Sequence, residues 1–86
     1  MHTVELLEEA VCLAEQAGYR VRQEWLCGRG GGGCEIRGGK WLFLDLAVEP
    51  AEQLDQVLDT LRRDPAVDPL GVPDSLRGRL GLRKWA

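Results

Sequence analysis

An α+β fold, in the order helix, three-stranded antiparallel meander, helix, is predicted by three patterns in this 86-residue chain. Residues 4 to 17 repeat their apolar positions at helical spacing, residues 19 to 48 switch to alternation, and residues 50 to 63 return to helical spacing behind a proline. Glycines mark the joints. With 44% hydrophobic and 29% charged residues, the composition is that of an ordinary globular domain with length for one core.

Thr3 is placed to cap the first helix and Gly18 to end it, because glycine takes the left-handed conformation just past a helix end without a steric penalty. On a helical wheel Val4, Leu6, Leu7, Ala10, Val11, Leu13, Ala14 and Ala17 share one half, and Glu5, Glu8, Glu9, Cys12, Glu15 and Gln16 the other. Glu5, Glu8 and Glu9 also suit the positive end of the helix dipole.

From Tyr19 to Cys27 the period is two, with Tyr19, Val21, Trp25 and Cys27 on one side and Arg20, Arg22 and Glu24 on the other. Cys34 to Arg37 forms a short second strand, and Gly38-Gly39 is a two-residue turn into a third, Trp41 to Val48. That turn faces Ile36 with Trp41 and Cys34 with Phe43. A symmetric loop over Gly28 to Gly33 then faces Cys27 with Cys34 and Trp25 with Ile36. One face gathers Tyr19, Val21, Trp25, Cys27, Cys34, Ile36, Trp41 and Phe43 as a floor for two helices, its thiols packed as small hydrophobes.

Pro50 suits a first helical position, and Leu54, Val57, Leu58 and Leu61 follow at helical spacing until Asp64-Pro65 stops the helix. Residues 1–64 thus make the domain. Residues 65–86 form an irregular, basic tail, rich in proline and glycine, that packs on the domain or on a partner, with one or two helical turns between Pro73 and Leu80.

The third strand is apolar on both sides. Leu42, Leu44, Leu46 and Val48 point away from the aromatic floor, and an edge strand with this pattern requires a cover. These four residues are the predicted interface, covered by the tail or by a partner protein, foremost a second copy of the chain in a homodimer.

The run Gly28-Arg29-Gly30-Gly31-Gly32-Gly33 satisfies the spacing of a dinucleotide-binding turn, but a strand follows it, so no helix N-terminus receives a pyrophosphate. Arg29, Gly30, Gly31 and Gly32 remain an anion-binding loop candidate through successive backbone amides. Cys27 and Cys34 are too far apart for a zinc knuckle, and an odd number of cysteines in unlike settings favours reduced thiols. The only histidine, His2, and the only serine, Ser75, give no nucleophile with a base. Neither a metal nor a cofactor is expected.

No stretch nears the roughly 20 apolar residues of a membrane span, and residues 1–5 lack the layout of a secretory leader, which predicts a cytoplasmic protein without membrane contact. The net charge of −3 divides into −5 for residues 1–64 and +2 for the tail. Nucleic acid is therefore not an expected partner unless a local patch holds it.

Ala17-Gly18-Tyr19-Arg20-Val21-Arg22, the glycine-rich turn, Cys34-Glu35-Ile36 and then Leu44-Asp45-Leu46 ahead of a helix together resemble the αβββα core of the restriction-endonuclease-like family, in particular its junction-resolvase members. The resemblance implies that an acid of the first helix (one of Glu5, Glu8 or Glu9), Glu35 and Asp45 bind Mg²⁺ and ready a water for phosphodiester attack. Ala47 stands where that pattern has its lysine. The Gly38-Gly39 register also sets Glu35 and Asp45 on opposite faces of the sheet. The expected function is thus a non-catalytic interaction or accessory module that self-associates through its third strand. The enzymatic alternative is a metal-dependent nuclease or a degenerate, nucleic-acid-binding descendant of one.

Overall fold

Helix, three strands and helix follow one another as the periodicity predicts. The computed structural model describes residues 2–28 and 31–81. They form α1 (Thr3–Gln16), β1 (Tyr19–Glu24), β2 (Gly32–Ile36), β3 (Gly39–Asp45), α2 (Pro50–Arg63), a 3-10 turn at Pro69–Gly71 and a short α3 (Asp74–Arg77). His2, one residue before Thr3, holds the N-cap position of α1, and Gly18 follows its end at φ 97°. None of the described helices is long and apolar enough to cross a membrane.

The sheet is mixed, and here the antiparallel meander is corrected. β2 and β3 form an antiparallel hairpin, whereas β1 lies parallel to β3 on its other side, giving the order β1-β3-β2. The glycine run is therefore part of a crossover from one edge of the sheet to the other. β3, apolar on both sides, takes the central position that its pattern suits, and β1, with Arg20, Arg22 and Glu24 at alternate positions, and the short, glycine-rich β2 take the edges. The hairpin turn is also shifted: Arg37 and Gly38, at φ 51° and 80°, are its two central residues, and Cys34 pairs with Trp41 in register.

Parallel pairing aligns Val21 with Leu42 and Gln23 with Leu44, while Arg20 and Arg22 align with Trp41 and Phe43. Helices cover the leucine side. Leu42 and Leu44, both 0% exposed, join Leu6, Leu7, Ala10, Leu13 and Ala14 of α1 and Leu54, Val57, Leu58 and Leu61 of α2 in one core, with Tyr19 and Val21 packed against it. The expected aromatic floor is thus the wrong face of β3. Burying Trp41 and Phe43 would have buried Arg20 and Arg22 beside them. The predicted interface falls with it, since α1 and α2 cover Leu42 and Leu44 within the chain, and Leu46 and Val48 are partly buried beyond the end of β3.

Two glycines explain how closely α2 lies on the sheet. A Cβ on Gly33 would come within 2.5 Å of Thr60 Cγ2, and one on Gly31 would overlap the Phe43 carbonyl oxygen. Gly33 N–H also donates to Thr60 Oγ1 at 3.1 Å, which fixes β2 under the helix. Residues 65–81 complete the core through Val72, Leu76 and Leu80. Arg77 donates to Pro69 O and Arg62 to Arg79 O, each at 2.7 Å, and Ser75 hydrogen-bonds Glu9 of α1.

Candidate functional site

Asp45 ends β3, and its carboxylate is wholly buried. Oδ1 accepts hydrogen bonds from Leu26 N at 3.0 Å and Ala47 N at 2.8 Å, tying the crossover and the turn after β3 to the strand end. Leu46 N adds a bond to Glu24 O at 2.9 Å. Glu35 lies elsewhere. It is exposed on β2 in register with Lys40, on the opposite face of the sheet and five positions from Asp45 along β3. The structure does not bring the two carboxylates together, and Glu5 and Glu8 are exposed on α1. Among the described residues no group of three or more His, Cys, Asp or Glu is arranged to hold a metal ion.

On the helix side a groove of about 540 Å³ runs between β2, β3 and the end of α2, lined in part by Gly31, Gly32, Gly33, Glu35, Thr60 and Arg63. Arg29 and Gly30, the first half of the predicted anion loop, lie outside the described residues. At the groove's end Lys40 Nζ and Tyr19 O–H donate to Asp64 Oδ2 at 2.8 and 2.7 Å, and Lys40 also reaches Ala17 O at 3.4 Å. These bonds clamp the ends of α1 and α2 to the sheet. The bonds from Lys40, Tyr19 and the Ala66 amide pull the Asp64 carboxyl from 3.8 down to about 2. Burial, with the Asp64 hydrogen bond and charge, pushes the Tyr19 phenol from 10.0 up to about 12.

The two shifts act at opposite ends of the pH scale. A depressed carboxylate stabilises the fold above its unfolded value and loses that contribution as pH falls from 3.8 towards 2; a raised phenol stabilises below 10 and loses it between 10 and 12. Urea unfolding should find Asp64→Asn less stable at neutral pH by on the order of 1–2 kcal/mol, allowing for solvent screening. That difference should shrink towards pH 2. Tyr19→Phe should remove the alkaline loss. A gap between wild type and Asp64→Asn that stays constant down to pH 2 would contradict the clamp.

Among the described residues no helix covers the other face. Arg20, Trp41 and Cys34 lie across it in one row, and Arg22, Phe43 and Gly32 in the next. Trp41 and Phe43 are partly exposed, with ring centroids 6.0 Å apart and planes 12° from parallel, and the Arg20 guanidinium lies 5.5 Å from the Trp41 centroid. Arg22 pairs with Glu24 at 2.9 Å. Ile36, 45% exposed, borders the row on β2, and Trp25, 73% exposed, follows the end of β1. Cys12, Cys27 and Cys34 are all exposed free thiols, which agrees with the wet-face position of Cys12 and corrects the expected packing of Cys27 and Cys34 in the floor.

These face residues were missed as a site because the alternation within β3 is symmetric. It separates Trp41 and Phe43 from Leu42 and Leu44 without saying which pair meets the helices. The usable signal was in β1, where Arg20 and Arg22 mark the wet side. Comparisons of the chain with protein families, curated proteins and solved structures find no match.

Proposed function

We propose that this chain is a small non-catalytic binding module whose contact surface is the helix-free face of the sheet. One observation carries the reading: the side chains of Trp41, Phe43, Cys34 and Ile36 stay in contact with water although the same sheet buries its leucines completely on the other face. Aromatic rings bordered by arginine are the side chains most often found at the centre of binding surfaces. The groove on the helix side supports catalysis less well, because Tyr19, Lys40 and Asp64 already satisfy one another. A nuclease would need Glu35 and Asp45 around one cation, and Asp45 is engaged with backbone amides.

Trp41→Ser tests the reading by urea unfolding and by sedimentation over a range of concentrations. The expected loss of stability is about 1 kcal/mol, as for a strand surface. Any self-association of the wild-type chain through this face should disappear. A loss near the roughly 3 kcal/mol of a core truncation would make the aromatics a structural layer and overturn the proposal.

A further inference from the structure

Charge is unevenly distributed over this surface. The chain carries −3 overall, and Glu5, Glu8 and Glu15 of α1 and Glu52 and Asp55 of α2 are exposed on the helix layer. The sheet side differs. A shallow groove of about 770 Å³ between the start of β1 and the β2–β3 turn is lined by Arg20, Ile36, Arg37, Lys40 and Trp41 with glycine backbone, and by no acidic side chain of the described residues. Lys40 is committed to Asp64. Arg20 and Arg37, both exposed, are therefore the charges that a ligand meets.

This pattern separates the candidate occupants. A second copy docked face to face about a two-fold axis through this groove would bring these arginines towards the same arginines of its mate. An anionic partner gains from them instead. Trp41 and Phe43, two nearly parallel rings on one strand, supply flat apolar surface, and the position beside Phe43 on β2 is Gly32, around which a Cβ would meet nothing within 4 Å. A duplex hides the faces of its bases, whereas a single strand offers them for stacking.

We propose that the groove and the aromatic row bind single-stranded nucleic acid, with one base against Trp41, the next towards Phe43, and the two phosphates flanking the base on Trp41 held by Arg20 and Arg37. This rests on the helix-free face being the contact surface. The expectation against nucleic acid came from the net charge, which sets long-range attraction; the groove is the local patch that can act without it. In the free chain the Arg20 guanidinium lies over Trp41, and an incoming base exchanges that contact for a stack while the guanidinium turns to its phosphate.

The test is fluorescence anisotropy of short labelled oligo(dT) and oligo(U) with the full chain. Binding should weaken with salt at a logarithmic slope of about −1.4 for two phosphates, and Arg37→Ala should reduce the slope by about 0.7. Trp41→Ala should weaken binding roughly tenfold, with Trp41→Phe recovering most of it. Arg63→Ala, on the opposite side, should change nothing. Circular dichroism checks that each variant is folded. The proposal fails if neither oligonucleotide binds at about 100 μM protein in low salt, or if polyglutamate competes equally and Trp41→Ala has no effect. Should oligonucleotides fail while Trp41→Ser abolishes self-association, the nucleic-acid proposal falls and the contact face stands. If both fail, both readings fall.

Discussion

Leu44→Glu is expected to unfold the domain. Leu44 lies wholly buried between the sheet and both long helices, so the change removes a leucine's packing, worth about 2–5 kcal/mol, and places a carboxyl in an apolar core with no partner, which costs several more. A domain of this size has roughly 4–13 kcal/mol of stability in total. Circular dichroism should show an unfolded spectrum at 25 °C and no cooperative transition on heating, and Leu44→Ala should remain folded with about 3 kcal/mol less stability. The sequence-level expectation for Leu44→Glu is a folded chain that loses a partner. A folded Leu44→Glu variant with the wild-type melting midpoint would put Leu44 on the surface and refute the fold described above.

Asp45→Ala carries the second largest effect, a loss of about 3 kcal/mol. Two backbone amides, Leu26 N and Ala47 N, lose their acceptor in a dry site, and each such group costs on the order of 1–3 kcal/mol when left unmade. Asn keeps an acceptor oxygen, so Asp45→Asn should recover more than half of the loss in urea unfolding. That rescue distinguishes a structural acceptor from a metal ligand, because an amide replaces a carboxylate poorly on a divalent cation. Wild-type stability in Asp45→Ala would show that the crossover is held by something else.

The elements of the fold were legible because their signals are local. Leucine spacing in α1 and α2, Pro50 at a helix start and Gly18 after a helix end each act within a few residues. The sheet order was not legible, because a glycine run permits a hairpin and a crossover equally. The choice rests on contacts between distant residues: Leu26 with Asp45 and Gly33 with Thr60, 19 and 27 residues apart. The two-sided apolar pattern of β3 was visible and pointed to a central strand, but a meander assigns its third strand to an edge, and the leucines are then given to the tail or to a partner; the tail does join their core through Val72, Leu76 and Leu80. The opposite error affected the glycines. Gly31 and Gly33 have a packing reason, the close approach of β3 and α2, that no local pattern reveals. The candidate site was half legible: Arg20 and Arg22 declared the wet face of β1, and only the parallel pairing adds Trp41 and Phe43 to it.

The crossover also sets an order of assembly. The β2–β3 hairpin and the α2 that follows it are neighbours in the chain, so they can condense early with little loop entropy to overcome. β1 reaches β3 only across the intervening hairpin and is expected to dock late, when Asp45 captures the amide of Leu26. The buried carboxylate thus behaves as a latch on the finished sheet. The aromatic face, which spans all three strands, comes into being only when that latch has closed.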